Sequence, residues 1–369
     1  MIYDVNGLPL EGSADQYKIL RTGASASGRP YWVLHLDCGR KFFSVANIKT
    51  IIDTMHTNGL NQLQLHFSED RGFRFALNDM TVITLDGDEY DLSGCVSTDL
   101  GGSLSESNMN EIISYARTKG IEVVPSLDMP GHMSKLLTQF TQFRYDSRYA
   151  WTLNVKDKDA VNFALAIVEK YAKYFLLMGC KYWNIGADEV GSQGGNGRWK
   201  YLNEADIPAF VEFVNTVADL VSKMGLIPRA FNDGILYNAD YANLFNRNIE
   251  IYNWCSANLM GEPGIQNVDV LVENGYKLIN TRYDWYLIVP RTNERTSHSG
   301  LERANLLKNF YNGTTTHDQC GACLAVWCDN DTTNDGGDAA MTSILGNIAS
   351  MGTGIGLTLA QLDYPIITS

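Results

Sequence analysis

Apolar residues along this chain follow two different spacings. Short apolar runs, typical of strands buried on both faces, alternate with longer stretches in which apolar residues recur every three or four positions, as in helices with one buried face. The runs that fit the strand pattern lie at 31–36, 62–67, 121–127, 182–186, 228–231, 249–252, 276–281 and 323–326. The pattern therefore predicts eight strands, most of them followed by a helix.

Helical patterns cover residues 45–58, 106–119, 159–178, 207–224 and 338–351. Ser44 is placed to cap the first of these helices through its side chain, and Gly120 is placed to end the second in a left-handed conformation. Between the second strand and its helix, residues 68–103 form a long polar insertion, in which 80–85 and 89–96 predict a small hairpin.

This order of elements predicts the fold class. Strands that alternate with helices pair in parallel through right-handed crossovers, and eight such units close into a barrel. A length of 369 residues suits one such barrel with insertions. We therefore predict an α/β fold, a (β/α)8 TIM barrel with a long insertion after strand 2. Residues 1–30 are predicted to be an N-terminal lead-in segment and residues 31–369 the barrel.

Polar and aromatic residues gather just after the predicted strand ends. They are Arg40, Glu69, Asp70, His132, Asp188, Glu189, Asp233, Trp254, Tyr286, Trp327 and Asp329. In a TIM barrel the carboxyl ends of the strands share one face, which is where enzymes of this fold place their sites. Residues that are far apart in the sequence are therefore expected to meet in one pocket.

The segment from Tyr182 to Gly191, YWNIGADEVG, is the centre of this group. Asp188 and Glu189 directly follow an apolar strand, where charged side chains are costly to desolvate and rarely serve packing alone. The structural alternative is an acidic helix N-terminus, because carboxylates suit the positive end of a helix dipole. The dipeptide by itself leaves both interpretations open.

Charge and composition narrow the choice of partners. The formal net charge is −13, with 42 acidic against 29 basic residues, and no basic stripe is visible, so a nucleic-acid partner is not expected. Apolar runs are too short for a membrane span, and no membrane partner is expected.

The N-terminus encodes no secretion signal, which favours a cytoplasmic protein, although a domain excised from a secreted protein would start in the same way. The oligomeric state stays open.

Seven cysteines are present, most of them in or just after apolar stretches where free thiols pack as small hydrophobic groups. Cys320 and Cys323 form a CGAC pair, but no second pair at zinc spacing and no set of His ligands accompanies it. We expect free thiols rather than a disulfide framework, with neither a metal nor a cofactor.

The residues expected in the pocket suit a sugar. Aromatic rings stack on the CH faces of a sugar, and carboxylates and an Arg bind its hydroxyls. Most glycoside hydrolases place two carboxylates on opposite sides of the scissile bond, which two adjacent residues cannot do. Adjacent carboxylates fit a different arrangement, in which one performs acid/base chemistry and the other orients a nucleophile that belongs to the substrate.

Seven segments resemble, in order, the signature segments of glycoside hydrolase family 20, the β-N-acetylhexosaminidases. They read DCGRKFF, LQLHFSEDRGFRF, VVPSLDMPGHM, NIGADEVG, FNDG, DWYL and AVWCDN. The resemblance covers residues 31–350 and is greatest to bacterial single-barrel members that hydrolyse β-linked N-acetylglucosamine. It implies a substrate with a terminal N-acetylhexosamine.

The resemblance also implies substrate-assisted retaining catalysis. Glu189 would be the general acid that protonates the glycosidic oxygen and then the base that activates water. Asp188 would bind the N–H of the 2-acetamido group while the acetamido oxygen attacks the anomeric carbon, and Tyr286 would donate a hydrogen bond to that oxygen. An intramolecular nucleophile needs only orientation, which is the source of the rate gain.

The remaining site residues follow from the same resemblance. Arg40 would bind the 3- and 4-hydroxyls, Asp329 the 4- or 6-hydroxyl, and Asp233 would be among the substrate-binding residues. Trp254 and Trp327 would form the walls of the pocket, and His132 would relay protons beside the acid. Two departures concern specificity and the relay. Asp329 stands where many members have Glu, and Glu69-Asp70 stands where two Asp are frequent.

Three hypotheses remain open from the sequence. The first is an exo-acting β-N-acetylhexosaminidase. The second is a lacto-N-biosidase-type enzyme that releases a disaccharide, which would require a deeper pocket. The third is a catalytically silent sugar-binding barrel, which intact Asp188, Glu189 and Tyr286 disfavour because a binding module has no need of an acid beside an acetamido clamp.

Overall fold

Eight parallel strands close into a barrel in the computed structural model of the protein. The structure describes residues 30–99, 101–190, 193–194, 198–199, 204–236, 239–255, 269–289, 301–302, 305–307, 320–329 and 338–361. The barrel strands are β1 Tyr31–Asp37, β2 Gln62–Glu69, β3 Glu122–Met129, β4 Tyr182–Gly186, β5 Ile227–Phe231, β6 Glu250–Asn253, β7 Leu278–Asn280 and β8 Gly321–Trp327. Each strand pairs in parallel with the next, and β8 pairs with β1. The predicted TIM barrel is confirmed; of the predicted lead-in segment, residues 1–29 lie outside the described residues.

Helices surround the barrel in the order that the sequence predicts. They are α1 Val45–Thr57, α2 Glu106–Thr118, α3 Lys158–Leu177, α4 Ile207–Met224, α5 Asp269–Glu273 and α6 Asp338–Gln361, with two short helices, Asp233–Leu236 and Ala239–Ala242, after β5. Ser44 caps α1 through a hydrogen bond from the N–H of Asn47 to its side chain, at 3.2 Å. Gly120 follows α2 with a φ of +69°. Both predicted helix boundaries are therefore confirmed.

The last helix continues to Gln361, well past the predicted end at residue 351. Glycines in its second half weaken the helical pattern in the sequence, yet one of them serves close packing. A Cβ atom at Gly354 would lie 2.0 Å from the main-chain oxygen of Leu301. The glycine is therefore explained by a close approach of two chain segments rather than by a helix end.

The same helix is apolar over much of its length. Its segment Ala340–Gln361 has a mean hydropathy of 1.2 and, by length and composition alone, is the one described helix that could cross a membrane. It packs on α1 and on β8, as a barrel helix does. Core helices of barrels pass the same test, so the absence of a membrane partner stays a prediction.

The insertion after β2 is tied to the loop that follows β1. Its elements are Gly72–Phe73, antiparallel to the end of β2, Phe75–Ala76, paired with Leu104–Ser105, and the predicted hairpin, shorter than expected, at Thr81–Ile83 and Glu89–Asp91. The buried guanidinium of Arg74 donates to the main-chain oxygens of Gly39, Asp99 and Gly102, at 3.0, 2.7 and 2.7 Å. This bond to Gly39 fixes the loop that carries Arg40.

A buried ion pair fills the amino-terminal end of the barrel. Arg229 in β5 donates to Glu250 at 3.0 Å, to Gln62 at 2.7 Å and to the hydroxyl of Tyr252 at 2.9 Å. Its guanidinium also lies 3.8 Å from the ring centroid of Tyr182. Charges taken out of water are tolerated only when they are paired in this way.

Replacing Arg229 with Met is expected to lower the free energy of unfolding by about 3–5 kcal/mol, because the carboxylate of Glu250 would stay buried without its partner. Urea unfolding followed by circular dichroism measures the loss. The double variant with Glu250→Gln is expected to recover part of it, since no uncompensated charge remains. A loss below about 1 kcal/mol would mean that the pair behaves as a solvated surface pair.

Candidate active site

The residues expected at the strand ends lie together at the carboxyl face of the barrel. Consecutive contacts run through Trp254, Tyr286, Trp327, Arg40, Glu69, His132, Glu189 and Asp233 and return to Trp254. Asp188 joins this ring through His132, and Asp329 joins it through Arg40. All nine predicted site residues therefore belong to one cluster, and with Glu69 this cluster draws on all eight strands.

The backbone after β4 is held in an unusual conformation. Ala187 and Glu189 have positive φ angles, 65° and 47°, which non-glycine residues adopt at a cost of about 1–3 kcal/mol each. The N–H of Ala187 donates to the main-chain oxygen of Met129 at 3.0 Å, and the N–H of Glu189 donates to Asp233 at 2.7 Å. These two bonds fix the direction in which the carboxylates leave the strand.

His132 connects the Glu189 carboxylate with two further carboxylates. Its Nε2 lies 3.1 Å from Oε2 of Glu189, and its Nδ1 lies 3.2 Å from Asp70 and 3.3 Å from Glu69. Burial lowers the pKa of His132, but the charge of Glu69 and the bonds to Asp70 and Glu189 outweigh it and raise that pKa well above its usual range. The imidazole is therefore cationic at neutral pH and donates from both nitrogens.

The carboxyl group of Asp188 is almost enclosed. The residue is 7% exposed, and its Oδ1 has no hydrogen-bond partner within the described part of the chain. Burial, together with the charges of Asp233 and Glu189, raises the pKa of Asp188, and the imidazolium of His132 partly opposes that rise. The side chain of Glu189 is more accessible, at 23%. The two adjacent carboxyls therefore occupy different environments.

Arg40 sits at the rim of the cluster and is held by three carboxylates. Its nitrogens lie 2.6 Å from Glu69, 3.0 Å from Asp37 and 3.4 Å from Asp329. Its guanidinium lies 5.5 Å from the ring centroid of Trp327, within cation–π range. The side chain of Asp329 is 45% exposed, so a part of this polar rim faces solvent.

Asp37 and Glu69 hold Arg40 in place. Glu69 is among the residues predicted to meet at the strand ends, whereas Asp37 is not, and the sequence predicts a contact with Arg40 for neither of them. Asp37 accepts hydrogen bonds from the N–H groups of Gly39, Arg40 and Cys328, which joins the loops after β1 and β8. Both carboxylates are buried at the ends of their strands. The available signal was the acidic residue that ends each apolar strand, since such a residue needs a cationic partner.

Three aromatic rings form one wall of the cluster. Tyr286 lies 6.0 Å from Trp254, nearly parallel at 24°, and 6.0 Å from Trp327 at 55°. The three residues are 5–8% exposed, so their rings form a packed surface. Such a wall suits the apolar face of a small ring or a methyl group.

Asp233 lies beneath the site rather than at its surface. It is fully buried, and its two oxygens accept from the N–H of Glu189 at 2.7 Å and from Nε1 of Trp254 at 2.9 Å. This placement favours a positioning role over the direct sugar binding assigned to Asp233 from the sequence.

Three overlapping groups of described residues are close enough to ligate a metal ion. They are His66, Glu69 and Asp128; Glu69, Asp70 and His132; and Asp128, His132 and Asp188. Arg40 and the imidazolium of His132 already provide cations beside these carboxylates. The seven cysteines form no disulfide, and all except Cys320, which is partly exposed, are buried.

Comparisons with known proteins agree with this arrangement. A sequence model of the family described as Glycosyl hydrolase family 20, catalytic domain, matches residues 30–353. A beta-hexosaminidase of Vibrio vulnificus is 22% identical over 321 residues, 72% of this chain and 37% of the relative. A lacto-N-biosidase of Bifidobacterium bifidum is 24% identical over 245 residues, 61% of this chain and 21% of the relative. The chain thus spans well under half the length of these curated relatives.

Solved structures share the fold. A structure from work on the inhibition of the pneumococcal virulence factor StrH matches with a TM-score of 0.78 at 24% identity, covering 89% of this chain and 85% of the other. Dispersin B matches with a TM-score of 0.63 at 22% identity, covering 89% and 98%. At such identities the likeness establishes the barrel and its connections alone.

Proposed function

Because the chain belongs to glycosyl hydrolase family 20, we propose that it is a retaining exo-β-N-acetylhexosaminidase. Its substrates are glycans with a terminal β-linked N-acetylglucosamine, and the reaction proceeds through an oxazolinium intermediate formed by the substrate's own acetamido group. The beta-hexosaminidase named among the relatives supports this activity class. The residue roles that follow are part of the same proposal.

The observation that carries the proposal is the contrast between Asp188 and Glu189. Asp188 is enclosed and offers an oxygen without a partner among the described residues, which suits an acetamido N–H and a nearby positive charge. Glu189 is more accessible and touches His132, which suits a group that exchanges protons with a leaving group and with water. Two adjacent carboxyls can thus serve opposite purposes.

In the first step the acetamido oxygen of the substrate attacks the anomeric carbon while Glu189 donates its proton to the departing glycosidic oxygen. The C–O bond to the leaving group breaks, and the positive oxazolinium ring is stabilised by the charge of Asp188. In the second step Glu189 takes a proton from water, the water oxygen attacks the anomeric carbon, and the ring opens to release the sugar. Two inversions give net retention.

Recognition of the sugar falls to the rim and to the aromatic wall. Arg40, held by Glu69 and Asp37, presents its remaining donor capacity toward ring hydroxyls, and the accessible carboxylate of Asp329 accepts from them. The packed rings of Trp254, Tyr286 and Trp327 enclose the acetamido methyl group.

Tyr286→Phe is expected to lower kcat for an aryl β-N-acetylglucosaminide by about 10²-fold, because the acetamido oxygen loses a donor while charge develops on it. Tyr283→Phe is the matched control, since that ring packs 5.7 Å from Tyr286 and the substitution also removes one hydroxyl. Steady-state kinetics of both variants measure the difference. Equal effects in the two variants would contradict the role of Tyr286.

The proposed function is tested by the hydrolysis of two substrates, p-nitrophenyl β-N-acetylglucosaminide and the p-nitrophenyl glycoside of lacto-N-biose. Turnover of the first, with inhibition by a thiazoline analogue of the intermediate, supports the hexosaminidase. Release of the intact disaccharide from the second alone would support the activity named for the Bifidobacterium relative. Binding without turnover of either would support a silent sugar-binding barrel. The galacto-configured substrate reports the preference at the 4-hydroxyl.

A further inference from the structure

Asp128 is a buried carboxyl group that the steps above do not use. It is the second-last residue of β3 and is 0% exposed. Neither of its oxygens has a hydrogen-bond donor among the described residues. Buried carboxylates are normally paired or hydrogen-bonded, because an isolated one is costly. Asp37 and Glu69, in similar positions on β1 and β2, both have donors.

The nearest neighbour of this carboxyl is the carboxyl of Asp188. One oxygen of Asp128, one oxygen of Asp188 and one ring nitrogen of His132 all lie within 4.8 Å of one another, so the two carboxyl groups are in close contact. Two carboxylates are both acceptors, so such a contact is a hydrogen bond only if one of them carries a proton. Like charges this close cannot both ionise at an ordinary pH.

The charges around Asp128 and Asp188 also favour a proton on one of the two carboxyl groups. The titratable groups that face Asp128 are His66 and Glu69 from β2, His132 from the loop after β3, and Asp188 from the chain after β4. Beyond them lie the carboxyls of Asp70, Glu189 and Asp233, whereas the cations are Arg40 and the imidazolium of His132. Carboxylates therefore outnumber cations in this buried cluster.

The backbone is shaped around the Asp128 side chain. The pairing of β3 with β4 is irregular between Ser126 and Met129, so the strand makes room at this point. Gly186 of β4 lies against the carboxyl, and a Cβ atom built there would be 1.8 Å from Oδ1 of Asp128. The irregular pairing and the close approach of Gly186 leave the Asp128 side chain little freedom to rotate away from Asp188.

We propose that Asp128 is a positioning residue, neutral at neutral pH, that donates its proton in a hydrogen bond to Asp188. The bond orients the Asp188 carboxylate and leaves its second oxygen for the acetamido N–H. It also keeps Asp188 ionised in a site where burial would otherwise protonate it. This inference rests on the proposed function, because it assigns the purpose of Asp188 to an acetamido group.

The direction of the pKa shifts agrees with this assignment. Burial and the charge of Asp188 raise the pKa of Asp128 well above its usual range, and the bond between the two carboxyls raises the pKa of Asp128 while it lowers that of Asp188. The pKa of Asp188 is raised as well, to about 7, so the directions favour a proton on Asp128, the more deeply buried member, over one on Asp188. Removal of this donor is expected to raise the pKa of Asp188 and to move the acidic limb of the pH profile upward.

Two variants with the same number of side-chain heavy atoms as Asp separate the effect of the hydrogen-bond donor from the effect of the charge. Asp128→Asn replaces one neutral donor with another, so its pH–rate profile is expected to keep both limbs within about half a unit, with kcat lowered less than about 10-fold. Asp128→Leu has no donor, so kcat is expected to fall about 10- to 10²-fold and the acidic limb to rise by about one unit. Thermal unfolding of both variants confirms that they are folded.

Infrared spectroscopy tests the proton without reference to catalysis. The wild type at pH 7 is expected to show the C=O stretch of a protonated carboxyl, and the difference spectrum against Asp128→Asn is expected to assign it to Asp128. Absence of such a band in the wild type would overturn the proposal, whether or not the variants fold. So would an Asn variant whose two limbs both move to lower pH, which is the result of deleting a negative charge.

Failure of this inference is distinguishable from failure of the proposed function. Turnover of the aryl N-acetylglucosaminide by the wild type, together with thiazoline inhibition, supports the function whatever the infrared result. Conversely, the infrared band reports on Asp128 even in an inactive protein.

Discussion

Glu189→Gln is expected to lower kcat/KM for an unactivated N-acetylglucosamine disaccharide by about 10²–10⁴-fold, the usual contribution of a general acid and base. Gln preserves the shape of the side chain and can still contact His132, which donates from Nε2 at 3.1 Å. It cannot deliver a proton to the glycosidic oxygen or accept one from water. Steady-state kinetics with the natural linkage measure the loss.

The choice of leaving group provides the control for this prediction. A dinitrophenyl leaving group departs without protonation, so the first step in the Glu189→Gln variant is expected to stay fast and the second step, which needs the base, to become limiting. Azide attacks without base assistance and is expected to restore turnover, giving the β-configured glycosyl azide. A variant with equal losses on both leaving groups and no response to azide would contradict the acid/base role of Glu189.

Asp188→Asn is the second large effect that we expect, a fall in kcat of about 10²–10³-fold, comparable to the loss of one preorganised electrostatic group. The enclosed carboxylate would become a neutral amide, which no longer balances the positive charge of the oxazolinium. The burial of Asp188 at 7% exposure makes this charge hard for solvent to replace. Rates with the aryl N-acetylglucosaminide measure the fall.

Binding measurements on the Asp188→Asn variant test whether Asp188 acts on the charged intermediate or on sugar binding in general. Binding of N-acetylglucosamine itself, which carries no developing charge, is expected to weaken much less than kcat falls. A thiazoline inhibitor that resembles the charged ring is expected to lose affinity in parallel with kcat. Equal losses for the sugar and the inhibitor would show that Asp188 acts in uniform binding and not on the intermediate.

The fold was predictable from the sequence because each barrel strand is an apolar run and each helix has one apolar face. Boundaries followed local chemistry, such as the cap at Ser44 and the left-handed Gly120. The predicted end of α6 was wrong because Gly352, Gly354 and Gly356 weaken the helical pattern. The close approach of Gly354 to Leu301 is visible only in three dimensions.

The membership of the site was largely predictable as well, because parallel strands bring their carboxyl ends to one face. The contacts that distinguish one site residue from another were not predictable. Nothing in the sequence shows that Asp233 accepts hydrogen bonds from Glu189 and Trp254, or that an oxygen of Asp128 lies within 4.8 Å of one of Asp188. Contacts of this kind depend on side-chain direction and burial, which the identity and spacing of residues do not specify.

The positive φ angles of Ala187 and Glu189 were equally hidden. Neither residue type favours that region, and only the flanking glycines hinted at an irregular strand end. The two N–H groups donate hydrogen bonds to Met129 in β3 and to Asp233 after β5, and these bonds hold the strained conformation in place. Local sequence preference therefore points away from the conformation that the site adopts.

The central claim is that the substrate's acetamido group is the nucleophile, and it is tested most directly with a series of aryl glycosides whose N-acetyl group carries zero, one, two or three fluorine atoms. Fluorine withdraws electrons and weakens the acetamido oxygen as a nucleophile while changing its size little. We predict that kcat falls steeply and steadily along the series. A kcat that is unchanged by fluorination would contradict substrate assistance and would require a nucleophile from the protein.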